Sequence, residues 1–140
     1  MYLYSYTNGD PIEDYNKLES IFRIALNKLS KQYNCFIKPY DIYFNAYKFG
    51  NEMDIHTDKT TKNGFNRTIV LYLTDDWQPS WHGETVFYDD KCQHIIKSVI
   101  PYPNSVIIFD GRIPHSSVPI SKFCLENRRI LVYQCEIEKF

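Results

Sequence analysis

Two histidines and one aspartate, His56, Asp58 and His115, are the residues of this chain whose types and spacing suit a metal ion. His56 and Asp58 are separated by one residue, so on an extended segment both side chains point to the same face and can bind one ion. His115 lies far along the chain and completes the set. Two imidazoles and one carboxylate hold non-heme Fe(II) on one face and leave the other positions open for O2 and a cosubstrate. The pattern therefore favours an oxygenase.

The other two histidines have less suitable positions. His82 stands in a turn, and His94 begins a predicted strand with no acidic partner expected in register. A bound metal needs several ligands that converge on one point, and neither residue has such neighbours in the sequence. We therefore expect His82 and His94 to have structural or rim roles.

The size and charge of the chain limit its class. The 140 residues fit one domain, residues 1–140, and this length can bury a hydrophobic core. The net charge of -1 leaves no basic surplus to neutralise phosphates, so a nucleic-acid partner is disfavoured. No apolar run approaches the ~18 residues of a membrane span. The cysteines lack zinc-site spacing and the N-terminus lacks a signal-peptide pattern, so a cytoplasmic protein with reduced thiols is expected, of undetermined oligomeric state.

One amphipathic helix is predicted over residues 11–33. Asp10, Pro11 and Glu13 have the types and spacing of an N-cap, a first helical residue and a capping-box glutamate. Apolar residues then recur three and four positions apart, which is the period of one helical face. This helix should lie against a sheet.

The rest of the chain has the pattern of short strands separated by turns. The predicted strands are 35–49, 53–58, 67–74, 83–88, 94–100, 105–110, 115–119 and 128–136. About eight short strands after one helix indicate an antiparallel barrel of jelly-roll type. The predicted fold is therefore mainly β, with one flanking N-terminal helix.

Four segments, 47–58, 71–85, 107–115 and 128–134, together resemble the Fe(II)/2-oxoglutarate-dependent oxygenases, in particular their prolyl 4-hydroxylase-like branch. They include the His-x-Asp pair, the distal histidine in Ile-Pro-His, and the paired arginines near the C-terminus. The resemblance implies a double-stranded β-helix, Fe(II) as the metal, 2-oxoglutarate as cosubstrate and O2 as oxidant, and it leaves ascorbate open as a reductant. In this family the three metal-binding positions correspond to His56, Asp58 and His115, which are therefore the expected catalytic iron ligands.

The resemblance also implies a basic residue on the last strand that pairs with the distal carboxylate of 2-oxoglutarate. Strand alternation favours Arg128 and puts Arg129 on the opposite face, although a long gap after His115 keeps Arg129 open as the alternative. Tyr72 and Tyr47 stand where the family has hydrogen-bonding partners of the cosubstrate. For both tyrosines an ordinary core role weighs about equally.

The expected reaction is hydroxylation of a C–H bond, with a peptidyl proline as the first candidate. The loops 57–66 and 75–82, the latter with Trp77 and Trp81, are expected to form the rim that receives a peptide. A small-molecule substrate is an alternative. An alkylated-nucleobase oxygenase is another, but that branch expects an arginine where Gln134 stands. The alternative from a different class is a non-catalytic β-helix binding module.

Overall fold

The computed structural model of the protein describes residues 4–6, 15–51, 53–58 and 65–139. Within these ranges the chain forms one α-helix, one 3-10 helix at Pro79–Trp81 and eight strands. In chain order the α-helix and strands are β1 (Tyr4–Tyr6), α1 (Tyr15–Tyr33), β2 (Cys35–Tyr47), β3 (Phe65–Tyr72), β4 (Thr85–Tyr88), β5 (Ile95–Val99), β6 (Val106–Phe109), β7 (His115–Ser117) and β8 (Arg128–Lys139).

The strands form two antiparallel sheets. The larger sheet has the order β1-β2-β8-β3-β6, and the smaller has the order β5-β4-β7. One apolar cluster joins them, since it contains Val70 and Val132 of the larger sheet and Phe87 of the smaller. The architecture is a double-stranded β-helix, so the predicted mainly-β barrel with one flanking helix is confirmed.

Helix α1 covers the outer face of the larger sheet. Leu26 and Leu29 pack against a second apolar cluster on that face. The helix ends at Tyr33, as predicted, because Asn34 adopts a left-handed backbone conformation with φ of 49°. Its predicted start at residues 10–14 lies outside the described residues. Among the described residues, no helix is both long and apolar enough to cross a membrane.

Strand β8 lies in the middle of the larger sheet, between β2 and β3. Successive side chains of a strand point to opposite faces. Ile130 and Val132 therefore belong to the cluster between the sheets, whereas Leu131 belongs to the cluster under the helix. By the same alternation Arg128 faces the barrel interior and Arg129 faces the other side.

Three strand predictions need correction. Residues 53–58, predicted as a strand, have only one isolated bridge, between His56 and His115. Among the residues that the structure describes, the backbone of this segment has partners only at Gly111 and His115, which are too few for a ladder. The short strand β1 was not predicted, because three residues cannot show an alternating pattern. Strand β8 continues to Lys139, beyond the predicted end at residue 136.

The turn before β4 contains a strained residue, and this gives a prediction. His82 has φ of 57° and ψ of -140°, a region that is essentially restricted to glycine. We expect His82→Gly to raise the free energy of unfolding by about 1 kcal/mol, because relief of strain of 1–3 kcal/mol exceeds the entropy that glycine loses. Denaturant unfolding measures the difference. Asn104→Gly is the matched control, since asparagine tolerates its φ of 57°. A less stable His82→Gly protein would contradict the assigned strain.

Candidate metal centre

His56, Asp58 and His115 come together at one point between the two sheets. Each residue offers one ligand atom, and these atoms lie within 4.8 Å of one another. The Nε2 atom of His56 is 3.9 Å from Asp58 Oδ1, and the Nε2 atom of His115 is 3.6 Å from Asp58 Oδ2. Side chains that lie up to 59 positions apart in the sequence, His56 and His115, therefore belong to one cluster with Asp58.

Backbone hydrogen bonds hold the two parts of this cluster in register. His56 donates its N–H to the carbonyl of His115 over 3.0 Å, and His115 donates to the carbonyl of His56 over 2.9 Å. Asp58 donates its N–H to the carbonyl of Gly111 over 2.8 Å. The segment 53–58 is thereby fixed beside β7 as a partial fourth strand of the smaller sheet.

Both imidazoles are oriented by carbonyl groups. The Nδ1 atom of His56 lies 2.9 Å from the carbonyl oxygen of Asp54, and Nδ1 of His115 lies 2.8 Å from that of Ile113. A carbonyl can only accept, so each Nδ1 donates and each neutral ring keeps its Nε2 lone pair for a metal. Burial lowers the pKa of His115 and favours this neutral form.

Asp58 is held from two sides. The hydroxyl of Thr68 donates to Asp58 Oδ2, and the side chain of Asp58 is 4% exposed. Gly111 approaches so closely that a Cβ atom there would lie 2.9 Å from Asp58 Cβ and 3.0 Å from Thr68 Oγ1. Glycine is therefore needed at position 111 so that the carboxylate can take this position.

The close approach of Gly111 predicts that Gly111→Ala weakens metal binding without removing a ligand. The added methyl must displace Asp58 or Thr68, and loss of such a supporting arrangement typically lowers metal affinity by about 10–100-fold. An anaerobic Fe(II) titration measures the change. The control is Gly50→Ala, which is strained at φ of +84° but would contact nothing within 4 Å. Equal Fe(II) affinities for the two variants would show that position 111 does not constrain the ligands.

Arg128 lies inside the barrel in the same cavity as the two histidines. All three side chains line this cavity, and Arg128 itself is 1% exposed. Its Nη2 donates to Thr85 Oγ1 over 2.9 Å, whereas Nε and Nη1 have no hydrogen-bond partner among the described residues. Burial lowers the pKa of Arg128. A buried guanidinium with two unused donors calls for an anion that can accept from it.

Tyr47 and Tyr72 flank this guanidinium. Its central carbon lies 5.5 Å from the ring centre of Tyr47 and 5.4 Å from that of Tyr72. Tyr72 shares a hydrogen bond of 2.7 Å with Thr85, and Tyr47 accepts one of 2.8 Å from the Asn45 amide. Burial raises the pKa of both phenols, so they stay neutral and can donate.

The remaining predicted residues lie elsewhere. Arg129 pairs with the exposed Asp75 over 3.1 Å on the other side of the sheet. His82 lies 3.7 Å from Glu84, and His94 lies 2.9 Å from Asp89. The expectation that His94 has no acidic partner was therefore wrong, because Asp89 reaches it across a turn. Neither histidine joins the metal cluster.

The two tryptophans of the 75–82 loop pack on each other rather than forming an open rim. Trp77 is 4% exposed and donates to the carbonyl of His82 over 2.9 Å, and Trp81 contacts it edge to face at 5.5 Å. The rim role predicted for Trp77 is wrong, since its ring lies in the core. The other predicted rim loop, 57–66, falls largely outside the described residues.

Two residues of the site were not predicted. Thr68 holds Asp58, and Thr85 joins Arg128 to Tyr72. Each threonine occupies an inward position on its strand, but a threonine on a strand does not by itself show which partner its hydroxyl will find. Buried hydroxyls at such positions need partners.

The comparisons with known proteins agree with this geometry. Residues 42–133 match the family model described as the 2OG-Fe(II) oxygenase superfamily, and this match covers most of the barrel. The chain belongs to the 2OG-Fe(II) oxygenase superfamily. No curated protein matches the chain.

Solved structures show the same fold as this chain at low sequence identity. A prolyl hydroxylase from Trichoplax adhaerens, in complex with a hypoxia inducible factor peptide fragment, is 16% identical with a TM-score of 0.68, over 96% of this chain and 61% of the other. A Pseudomonas putida prolyl-4-hydroxylase is 20% identical with a TM-score of 0.57, over 94% and 70%. An oxygenase from Burkholderia pseudomallei is 14% identical with a TM-score of 0.65, over 84% and 57%. The chain thus spans less than two thirds of two of these proteins.

Membership of the 2OG-Fe(II) oxygenase superfamily implies Fe(II), 2-oxoglutarate and O2 as cofactors. The donor set fits the metal, because His56, Asp58 and His115 could bind one Fe(II) ion through two neutral imidazoles and one carboxylate. The cavity also fits a diacid, since two donors of Arg128 are unused. Both groups would meet in the same space between the sheets.

Proposed function

We propose that this chain is a dioxygenase that uses Fe(II) and 2-oxoglutarate to hydroxylate a C–H bond. The observation that carries the proposal is the shared cavity, in which a buried arginine with unused donors accompanies two histidines of the candidate metal centre. A metal-binding module without catalysis has no use for a buried guanidinium beside the ion. Burying this guanidinium without a full set of hydrogen-bond partners costs free energy of folding, unless a ligand supplies the missing partners.

The residues of the site would divide into metal ligands and a cosubstrate-binding arginine. His56, Asp58 and His115 would hold Fe(II), and Arg128 would bind the far carboxylate of 2-oxoglutarate with two parallel hydrogen bonds. When bound, the metal and 2-oxoglutarate would supply the oxidising chemistry: one atom of O2 would enter the substrate, the other would enter succinate, and CO2 would be released.

The surrounding side chains position these groups. Thr85 fixes one amino group of Arg128 and shares a hydrogen bond with Tyr72, and Tyr47 lines the same cavity. Val70, Ile130, Val132 and Phe109 line the cavity with apolar surface, which restricts water beside the reacting groups.

For the substrate, we propose a peptidyl proline or a similar peptidyl side chain. The support is the similarity in fold to the Trichoplax and Pseudomonas prolyl hydroxylases, the former in complex with a peptide. An alkylated nucleobase is less suitable, because the net charge is -1 and Gln134 stands where that branch expects an arginine. A cytoplasmic location with reduced cysteines is part of the proposal.

The test is turnover of 2-oxoglutarate with defined substrates. Purified protein receives Fe(II), 2-oxoglutarate and O2, and succinate is measured with proline-containing peptides, with free proline and with an alkylated oligonucleotide. Succinate that depends on Fe(II), together with a peptide that gains the mass of one oxygen atom, is expected. Oxygen incorporation into free proline but not into peptides would overturn the peptide assignment. No succinate with any substrate would overturn the enzymatic assignment.

A further inference from the structure

Two buried oxygen atoms on the inner face of β2 and β8 have no partner. They are Oδ1 of Asp41 and Oε1 of Gln134, and neither accepts a hydrogen bond from any of the described residues. Gln134 is 5% exposed, so water cannot replace the missing donor freely. A buried acceptor left unpaired costs free energy, which makes a ligand donor the natural complement.

The two residues lie side by side next to the candidate metal centre. Asp41 and Gln134 are direct partners across the β2–β8 ladder, and Thr68 is the partner of Gln134 on β3. Directly opposed residues of antiparallel strands share one face, with their Cβ atoms about 4.5–5.5 Å apart. The ladder shifts register between Pro39 and Asp41, which is the local change that turns a side chain toward a site. Thr68 in turn donates to Asp58.

This position is distant from the proposed cosubstrate site. Gln134 follows Arg128 by six residues on the same strand, which corresponds to about 20 Å at the rise of an extended chain. A five-carbon diacid that is anchored on Arg128 and reaches the candidate metal centre does not extend that far. A group that meets Asp41 and Gln134 would therefore come from the substrate rather than from 2-oxoglutarate.

The chemistry of the two atoms defines that group. Both atoms are acceptors, and the carboxylate of Asp41 adds negative charge, so a second carboxylate would be repelled. A protonated amine or a guanidinium supplies several N–H donors and a positive charge. Tyr43 forms a side-chain hydrogen bond with Gln134 that helps to orient the amide, and burial raises the pKa of Tyr43.

We propose that Asp41 and Gln134 form a substrate subsite for a cationic nitrogen group. The inference rests on the proposed function and adds to it: on a peptide, the group is a lysine or arginine side chain at or beside the hydroxylated residue. On a small molecule, it is the amine or guanidinium of a free basic compound. Both sources share the same recognition chemistry.

Peptide-binding titrations test this subsite without requiring turnover. Three peptides of one sequence, with lysine, norleucine or glutamate beside a proline, are titrated into protein loaded with Mn(II) and 2-oxoglutarate; free lysine is a fourth arm. If the natural substrate is a peptide, the lysine peptide should bind at least about tenfold more tightly than the norleucine peptide, which is the effect of one charged hydrogen bond. If the natural substrate is a small molecule, free lysine should show this advantage over the norleucine peptide. Equal affinity for lysine and norleucine peptides, with no binding of free lysine, would overturn the proposal.

Variants assign the effect to Asp41. Asp41→Asn should remove the preference for lysine over norleucine, and Asp41→Lys should favour the glutamate peptide. Asp90→Asn, at an exposed turn, is the matched control and should keep the full preference. A preference that survives in both Asp41 variants would place the subsite elsewhere. Selective binding of the lysine peptide without succinate formation would leave the subsite standing and contradict the proposed function.

Discussion

Replacing Asp58 with alanine is expected to abolish stoichiometric Fe(II) binding and, with it, all 2-oxoglutarate turnover. Asp58 supplies the single carboxylate between two neutral imidazoles, so its removal leaves no negative ligand for a divalent ion. Loss of a supporting group already lowers metal affinity by about 10–100-fold, and loss of a ligand should exceed that. His56→Ala should have the same result.

Anaerobic Fe(II) titration, with thermal unfolding in parallel, measures this effect. Fe(II) should raise the melting temperature of the unsubstituted protein by mass action and leave that of Asp58→Ala unchanged. Asp75→Ala removes an exposed aspartate far from the cavity and should bind Fe(II) normally. Stoichiometric iron in a protein that lacks both His56 and His115 would refute the assigned ligand set.

Arg128→Ala is expected to weaken 2-oxoglutarate binding by about 2–5 kcal/mol, the range for truncating one partner of a buried charge pair. The reason is that Arg128 is buried with two unused donors, so a bound carboxylate gains hydrogen bonds that water does not supply there. Arg129→Ala removes an exposed ion pair on the other face and should change binding by less than about 0.5 kcal/mol.

Calorimetric titration of 2-oxoglutarate into the Mn(II)-loaded protein checks both arginine variants. Arg128→Met serves as the folding control. Without ligand, its melting temperature should equal or exceed that of the unsubstituted protein, because an apolar side chain replaces a buried charge that lacks a full set of partners. The reverse pattern, in which Arg129→Ala loses binding and Arg128→Ala retains it, would move the cosubstrate site by one residue.

The barrel was predictable because its elements have strong local patterns. Helix α1 ends at the predicted residue, and seven of the eight predicted strands appear with shifted ends. The segment 53–58 was not predictable as irregular, since its extended pattern does not reveal how many backbone partners it will find. Trp77 was misplaced at the rim because an aromatic residue in a polar loop gives no sign that the loop folds back over the core.

The candidate site was predictable where the type of residue carries the chemistry, as for the two histidines and Asp58. The supporting residues were not, because a threonine on a strand is ordinary until its neighbours across the sheet are known. The same holds for Asp41 and Gln134. Their unpaired oxygens become visible once β2 and β8 are aligned, and the irregular register near Pro39 cannot be read from one strand alone.

The candidate ligands His56 and Asp58 stand on a segment that three backbone hydrogen bonds attach to the turn and strand near His115. An ion shared by these residues would tie two distant parts of the chain together and close a long loop, as a disulfide bridge does. Iron supply should then govern the lifetime of the protein as well as its activity. Under iron starvation the segment 53–58 would lose this additional tie, and proteases would cut the chain near it more readily, so the protein would be removed rather than stored without iron.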